Sequence, residues 1–469
     1  MNSLDRHIAC LSGLAIGDAL GAPFEGMKAG HIRQVAGEVE GWLDAEELFP
    51  DEPRRWRLAG LYTAFTQQAL AVADALCEDG DLIPDALAQL FVQLCGDGSS
   101  ERGRFGSWRG ADSDLRVAIN AMADGQEPLN CGRPSPNIAA AVRAIPAGLY
   151  FRDDPQSMAQ AAIHAALITH NDPRAVAAAG AVARAVSLLV AADDPLRLEV
   201  EAICQELIRF TRELEGRLKD EYWDSLDPAM RIFGAHHISE TLGALWACVR
   251  EGDDDLTRRT IIAQANLCGP EHPIKDTTQG FAPAAATMCL YFALSRGNFL
   301  QAVRAAVNEG RATCSVGAIV GALAGARFGV EQIPDEWREG LLNREQVELR
   351  GRMLHERETD WSQREFLPQM EHTWTRQERE HFADSLRRLE RSQAKHAEKH
   401  PPKPKKPKSK PYTGPDPAEI IGPYDADWIS GGADPETRRK ERAQRGRKRI
   451  EWKEERRRKH KHGMDEESD

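Results

Sequence analysis

Five segments of this 469-residue chain carry side chains that could bind or transform a polar ligand. In Gly13-Leu14-Ala15-Ile16-Gly17-Asp18-Ala19-Leu20-Gly21-Ala22-Pro23-Phe24-Glu25, glycines recur every fourth residue, with one acid among them and one after them. Glycines four apart leave one bare helix face. The structural reading is close helix packing and then a turn, with Asp18 bonding nearby backbone and Glu25 capping a loop. The chemical reading gives Glu25 to a ligand or to acid–base work. Tyr62–Leu70 brings the hydroxyls of Thr63 and Thr66, and Val307–Ala326 brings Thr313, Cys314 and Ser315. Cys314 reads as an inert small residue rather than a nucleophile, since no His lies near it in sequence. Thr169-His170-Asn171-Asp172-Pro173 offers an imidazole at a helix start, and Asn137–Gly148 offers Arg143. His236-His237 is a poor metal pair, because two ligands on one helix face want a spacing of four.

The elements that must hold these groups are helical. Apolar residues recur at helical spacing in 69–76, 161–167, 175–190, 238–249, 282–294 and 316–326, and small residues are frequent within them. Breakers such as Asp79-Gly80-Asp81, Asp172-Pro173 and Gly269-Pro270 separate them. The pattern predicts an all-α fold, a compact multi-helix bundle with a charged C-terminal extension. The expected organisation is a helical body over 1–340, an amphipathic helical extension over 341–399 and a basic, Pro/Lys/Arg-rich, disordered tail over 400–469. No uninterrupted run of eighteen apolar residues occurs, so neither a membrane span nor a secretory signal is expected. Nine scattered cysteines without a CxxC pair read as reduced thiols of a cytoplasmic protein. The net charge is −12, yet residues 403–462 carry 19 basic and 10 acidic residues. An acidic body is not a nucleic-acid-binding core. The tail remains a candidate contact for nucleic acid or an acidic partner.

Taken together and in order, the segments resemble the ADP-ribosylglycohydrolases, the dinitrogenase-reductase-activating and ADP-ribosylhydrolase family. The resemblance runs from about residue 8 to about residue 330. It implies an N-terminal acid at Glu25 that faces the ribose, and a pair of magnesium-type ions held by aspartates. The family's Tyr-Thr-Asp-Asp-Thr stands here as Tyr62-Thr63-Ala64-Phe65-Thr66, and its Asn-x-Gly-Gly-Asp-Thr-Asp-Thr as Asn308-Glu309-Gly310-Arg311-Ala312-Thr313-Cys314-Ser315. The four aspartate positions are therefore Ala64, Phe65, Ala312 and Cys314. Thr-His-x-x-Pro is matched by Thr169–Pro173, and Asn-Gly-x-x-Met-Arg by the stretch ending in Arg143, with Ala139 in place of a glycine. By this resemblance Asp18, Glu25, Thr63, Arg143, His170 and Ser315 are the expected ligand-binding residues, no metal is expected to bind, and Glu25 is the one candidate catalytic group. The expectation is a non-catalytic binder of ADP-ribose, of an ADP-ribosylated protein or of a protein partner. The alternatives are a metal-independent ADP-ribosyl hydrolase and a scaffold acting through its basic tail.

Overall fold

The computed structural model describes residues 2–95, 105–192, 194, 197–228, 237–357 and 361–399. Among these residues there are α-helices, short 3-10 turns and three isolated β-bridges, but no strand. The fold is all-α, as the periodicity predicts.

The centre is a pair of helices that both come from the chemistry-bearing segments, Ser3–Gly21 and Thr313–Phe328. Both are buried along nearly their whole length. Their glycines face each other so closely that no side chain fits between them. A Cβ on Gly13 would lie 2.1 Å from the Gly321 carbonyl oxygen, one on Gly17 1.9 Å from that of Gly317, and one on Gly325 2.0 Å from that of Ala9. The glycine spacing thus encodes backbone-to-backbone packing, which maximises dispersion contact and fixes the register of the two helices. That register sets Asp18 and Glu25 opposite the start of the Thr313–Phe328 helix.

Local signals place the other elements. Thr63 caps the Ala64–Asp79 helix, accepting from Phe65 N–H at 3.3 Å, and Gly80 closes it in a left-handed conformation (φ 72°). Asp172 caps the Pro173–Ala191 helix through Arg174 N–H, with Pro173 at the first helical position. One expectation fails in detail. The 238–249 segment is two helices, His237–Leu242 and Leu245–Glu251, because Gly243 interrupts them in a turn.

Two segments are apolar and long enough to cross a bilayer by length and composition. They are Ser3–Phe24 and Pro173–Ala191, and 94% and 83% of their apolar eighteen-residue stretches are buried within the protein, as in core helices.

Residues beyond 340 continue the body. The Arg344–Glu356 helix lies so close to the first helix that a Cβ on Gly351 would meet Ile8 Cα at 2.8 Å. Arg350 is buried and bridges to both oxygens of buried Asp74 at 2.8 and 3.0 Å. The Leu367–Lys399 helix follows, and residues 1–395 form one compact unit. The basic tail over 400–469 and His236 lie outside the described residues.

Candidate functional site

Asp18 is wholly buried in the first helix, and its carboxylate receives four hydrogen bonds. Thr63 N–H and Oγ1 donate at 2.9 and 2.7 Å; Thr66 N–H and Oγ1 donate at 3.2 and 2.7 Å. Two of these donors are backbone groups at the start of the Ala64–Asp79 helix, so Asp18 supplements Thr63 as the cap of that helix. Burial pushes the Asp18 pKa up, while the four donors pull it down. Asp18 therefore ties the second motif to the first.

Glu25 does the equivalent for the third motif. Its Oε2 accepts from the Cys314 N–H at 2.9 Å and from Thr313 Oγ1 at 3.2 Å, at the start of the Thr313–Phe328 helix. Thr313 also donates to the Gly21 carbonyl at 2.7 Å. Glu25 keeps exposed surface, yet the dense packing about its carboxylate pushes its pKa up, with the hydrogen bonds from Cys314 and Thr313 opposing and the charge of Asp18 adding. The Cys314 thiol is held far above its ordinary pKa by burial and then by Glu25 and Asp18, so it stays protonated.

The donor set does not fit a pair of magnesium-type ions. Such ions need several oxygen ligands with net negative charge. Ala64 and Ala312 supply none, Phe65 is an apolar ring, and a protonated Cys314 thiol is a soft and uncharged donor. Both Asp18 oxygens and Glu25 Oε2 are engaged by protein N–H and O–H groups. Among the described residues, no three His, Cys, Asp or Glu side chains are grouped to hold a metal ion. Among the described residues, the Ser315 hydroxyl donates to the Ala312 carbonyl at 3.4 Å and makes no hydrogen bond to Asp18 or Glu25.

Arg143 and His170 form a second cluster. Arg143 is 1% exposed, donates to Thr169 Oγ1 and to the Ala165 carbonyl at 3.4 Å, and leaves Nε and Nη2 buried without a partner. Burial lowers its pKa to about 10 against the pull of Asp112 and Asp114. His170 Nδ1 pairs with Thr169 Oγ1 at 2.7 Å, while Nε2 is buried without a hydrogen-bond partner, 3.6 Å from Asp114 Oδ2. Burial and then Arg143 press the His170 pKa down to about 3, so the imidazole is neutral. Asp112 Oδ2 and Asn171 Oδ1 are buried and unpaired as well. Buried polar groups are rarely left so, and a concentration of them is completed by water or a ligand. This cluster adjoins the first: Gly110 packs on the Thr63 side chain, and the Arg109 carbonyl accepts from Ala64 N–H at 2.8 Å.

Several residues of this region escape sequence reasoning. Arg109 is fully buried; its Nε donates to Glu378 at 2.9 Å and its Nη1 to the Tyr62 carbonyl at 2.8 Å. Glu371 accepts from Tyr62 Oη at 2.7 Å and from Gln67 Nε2 at 2.5 Å. Burial lowers the Arg109 pKa, but Glu378 and Glu371 outweigh it and raise it overall. Phe382 packs its ring against Trp56 and Phe105. The Leu367–Lys399 helix therefore lies over the residues leading into the second motif. Burial pushes the Arg57 pKa down, and the charge of Glu378 opposes it. Nothing in the local sequence marks these partners, which are joined only by tertiary packing. Thr66 and Thr313, by contrast, are retained motif residues.

Comparison with known proteins agrees with this arrangement. The ADP-ribosylglycohydrolase family pattern matches residues 1–364. An uncharacterised protein of Archaeoglobus fulgidus is 27% identical over 347 residues, covering 74% of this chain and 95% of that protein. The ADP-ribosyl-[dinitrogen reductase] glycohydrolase of Rhodospirillum rubrum is 23% identical over 351 residues, covering 74% and 93%. A solved structure described as an ADP-ribosylglycohydrolase-related protein complex shares the fold, with a TM-score of 0.51, 24% identity, and coverage of 76% of this chain and 99% of that one. The match takes in the Arg344–Glu356 helix and so reaches further than the sequence resemblance, but it stops short of the Leu367–Lys399 helix. This chain belongs to the ADP-ribosylglycohydrolase family.

Proposed function

We propose that this chain is a non-catalytic member of its family that binds an ADP-ribose-like ligand, free or on a modified protein, without metal. The observation that carries the first half is the state of the two retained acids. Asp18 and Glu25 are engaged as acceptors for the starts of two helices, and the four positions that would supply the remaining charge are Ala64, Phe65, Ala312 and Cys314. Metal-assisted attack by water needs an ion that lowers the water's pKa and orients the ribose, and this donor set does not hold one. The binding half is supported by the unpaired buried atoms of Arg143, His170, Asp112 and Asn171 beside the Thr63 cap. A ribose or diphosphate offers both donors and acceptors to such a set. The test is release of ADP-ribose from an ADP-ribosylated protein by the full chain with magnesium present. The reading requires none above an enzyme-free control. Magnesium-dependent release would overturn it.

A further inference from the structure

The third motif lost its aspartates, and it also gained a cation. Arg311 stands where the family pattern has its second glycine. It keeps the glycine-like backbone, with φ 68°, a left-handed conformation that strains any residue with a Cβ. Strain of this kind persists only where the surroundings hold it. Here, Arg311 N–H donates to the Met27 carbonyl at 2.5 Å and Gly26 N–H to the Arg311 carbonyl at 2.7 Å. The side chain is thereby directed into a cavity of about 400 Å³, on whose wall Arg311 Nε pairs with Asp276 at 2.8 Å.

The charge in this cavity is unbalanced. Its three acids are each neutralised: Asp276 by Arg311, Glu309 by a two-pronged pair with Arg258 at 2.7 and 2.8 Å, and Asp254 by Arg296 at 2.7 Å. Lys28 and Arg33 also line it, and neither has an acidic partner within 4.0 Å among the described residues. Phe292, Ala29 and Ala305 supply apolar surface between the charges. Neither Asp18 nor Glu25 lines it.

We propose that this cavity is a binding site for a phosphate-bearing small molecule, separate from the Asp18–Glu25 cluster, with Lys28 and Arg33 as its charged anchors and Arg311, which holds Asp276 through Nε and Nη2, contributing its remaining Nη1 donor. Guanidinium groups present forked donors that match phosphate oxygens, and Lys28 adds a point charge. The volume suits a ligand of nucleotide size or smaller. A purely structural Arg311 would serve only to pin the Asp276 loop.

Inorganic pyrophosphate titrated calorimetrically into the full-length protein tests this. The wild type binds saturably and more weakly as salt rises. Lys28→Glu and Arg33→Glu each lower the affinity at least about tenfold, while Arg209→Glu, an equal charge change on an exposed helix surface, leaves it unaltered. Arg311→Gly removes the guanidinium together with the strain, so pyrophosphate affinity falls while thermal stability holds or rises. A stability loss with affinity intact would reduce Arg311 to a structural pin and overturn the proposal. So would an absence of saturable binding, or an equal loss in the Arg209 variant.

Discussion

Removing the Asp18 carboxylate tests the claim that the retained acids serve the scaffold. In Asp18→Ala, four donors lose their acceptor, two of them backbone N–H groups at a buried helix start. The Thr63 and Thr66 hydroxyls can turn to other acceptors, but the two N–H groups cannot. An unsatisfied buried donor costs about 1–3 kcal/mol, and hydrogen bonds to a charged acceptor are worth about 1.5–3 kcal/mol each, without adding fully. The expected loss is therefore about 3–5 kcal/mol. Asp18→Asn keeps the shape and one acceptor oxygen but turns an NH₂ toward donors, for an expected loss of about 2–3 kcal/mol. Urea denaturation followed by circular dichroism reads both, with unchanged slope marking a pure stability effect. A loss below about 1 kcal/mol in both variants would show that the donors have other outlets and would refute the reasoning.

Three further outcomes follow from the same geometry. Gly17→Ala places a Cβ 1.9 Å from a backbone oxygen that belongs to the partner helix, so it should cost about 3 kcal/mol or more, read as a fall in thermal midpoint. Arg109→Met leaves Glu371 and Glu378 facing each other without their cation and should cost about 3–5 kcal/mol; adding Glu371→Gln and Glu378→Gln should recover much of that, and no recovery would disprove the ionic account. His170 sits at about 3 in the folded protein against an ordinary value of 6.5, so the native state keeps it neutral while the unfolded chain takes up a proton below pH 6.5. Its contribution to stability is present above pH 6.5 and is lost as pH falls towards 3, at up to about 1.4 kcal/mol per pH unit. In His170→Gln the acid-side slope should shrink by about one proton's worth, and an identical slope would contradict the buried neutral imidazole.

What the sequence shows of the site, and what it hides, divides along physical lines. Glycines at 13, 17 and 21 announce a bare helix face, and the structure uses that face for backbone contact with Gly317, Gly321 and Thr313. The caps at Thr63 and Asp172 are equally local and equally readable. Asp18 and Glu25 are identifiable as candidates by type and position, but their commitment to the N–H groups of Thr63, Thr66 and Cys314 depends on two helices meeting in one register. The Ser315 hydroxyl donates to the Ala312 carbonyl one turn back, a contact local to the start of its helix. The Arg109–Glu371–Glu378 network joins residues more than 260 positions apart, and no periodicity or spacing encodes such a pairing. Gly243 shows the reverse error: the apolar pattern continues through it, but one flexible residue suffices to end the helix.

ADP-ribose binding beside the Arg143–His170 cluster is expected to need no metal. Calorimetric titration of ADP-ribose into the full-length protein, with magnesium and then with a chelator, tests it most directly. The account predicts saturable binding of the same affinity in both conditions. Binding that appears only with magnesium would contradict it, because the ion would then have found ligands that Ala64, Phe65, Ala312 and Cys314 do not provide.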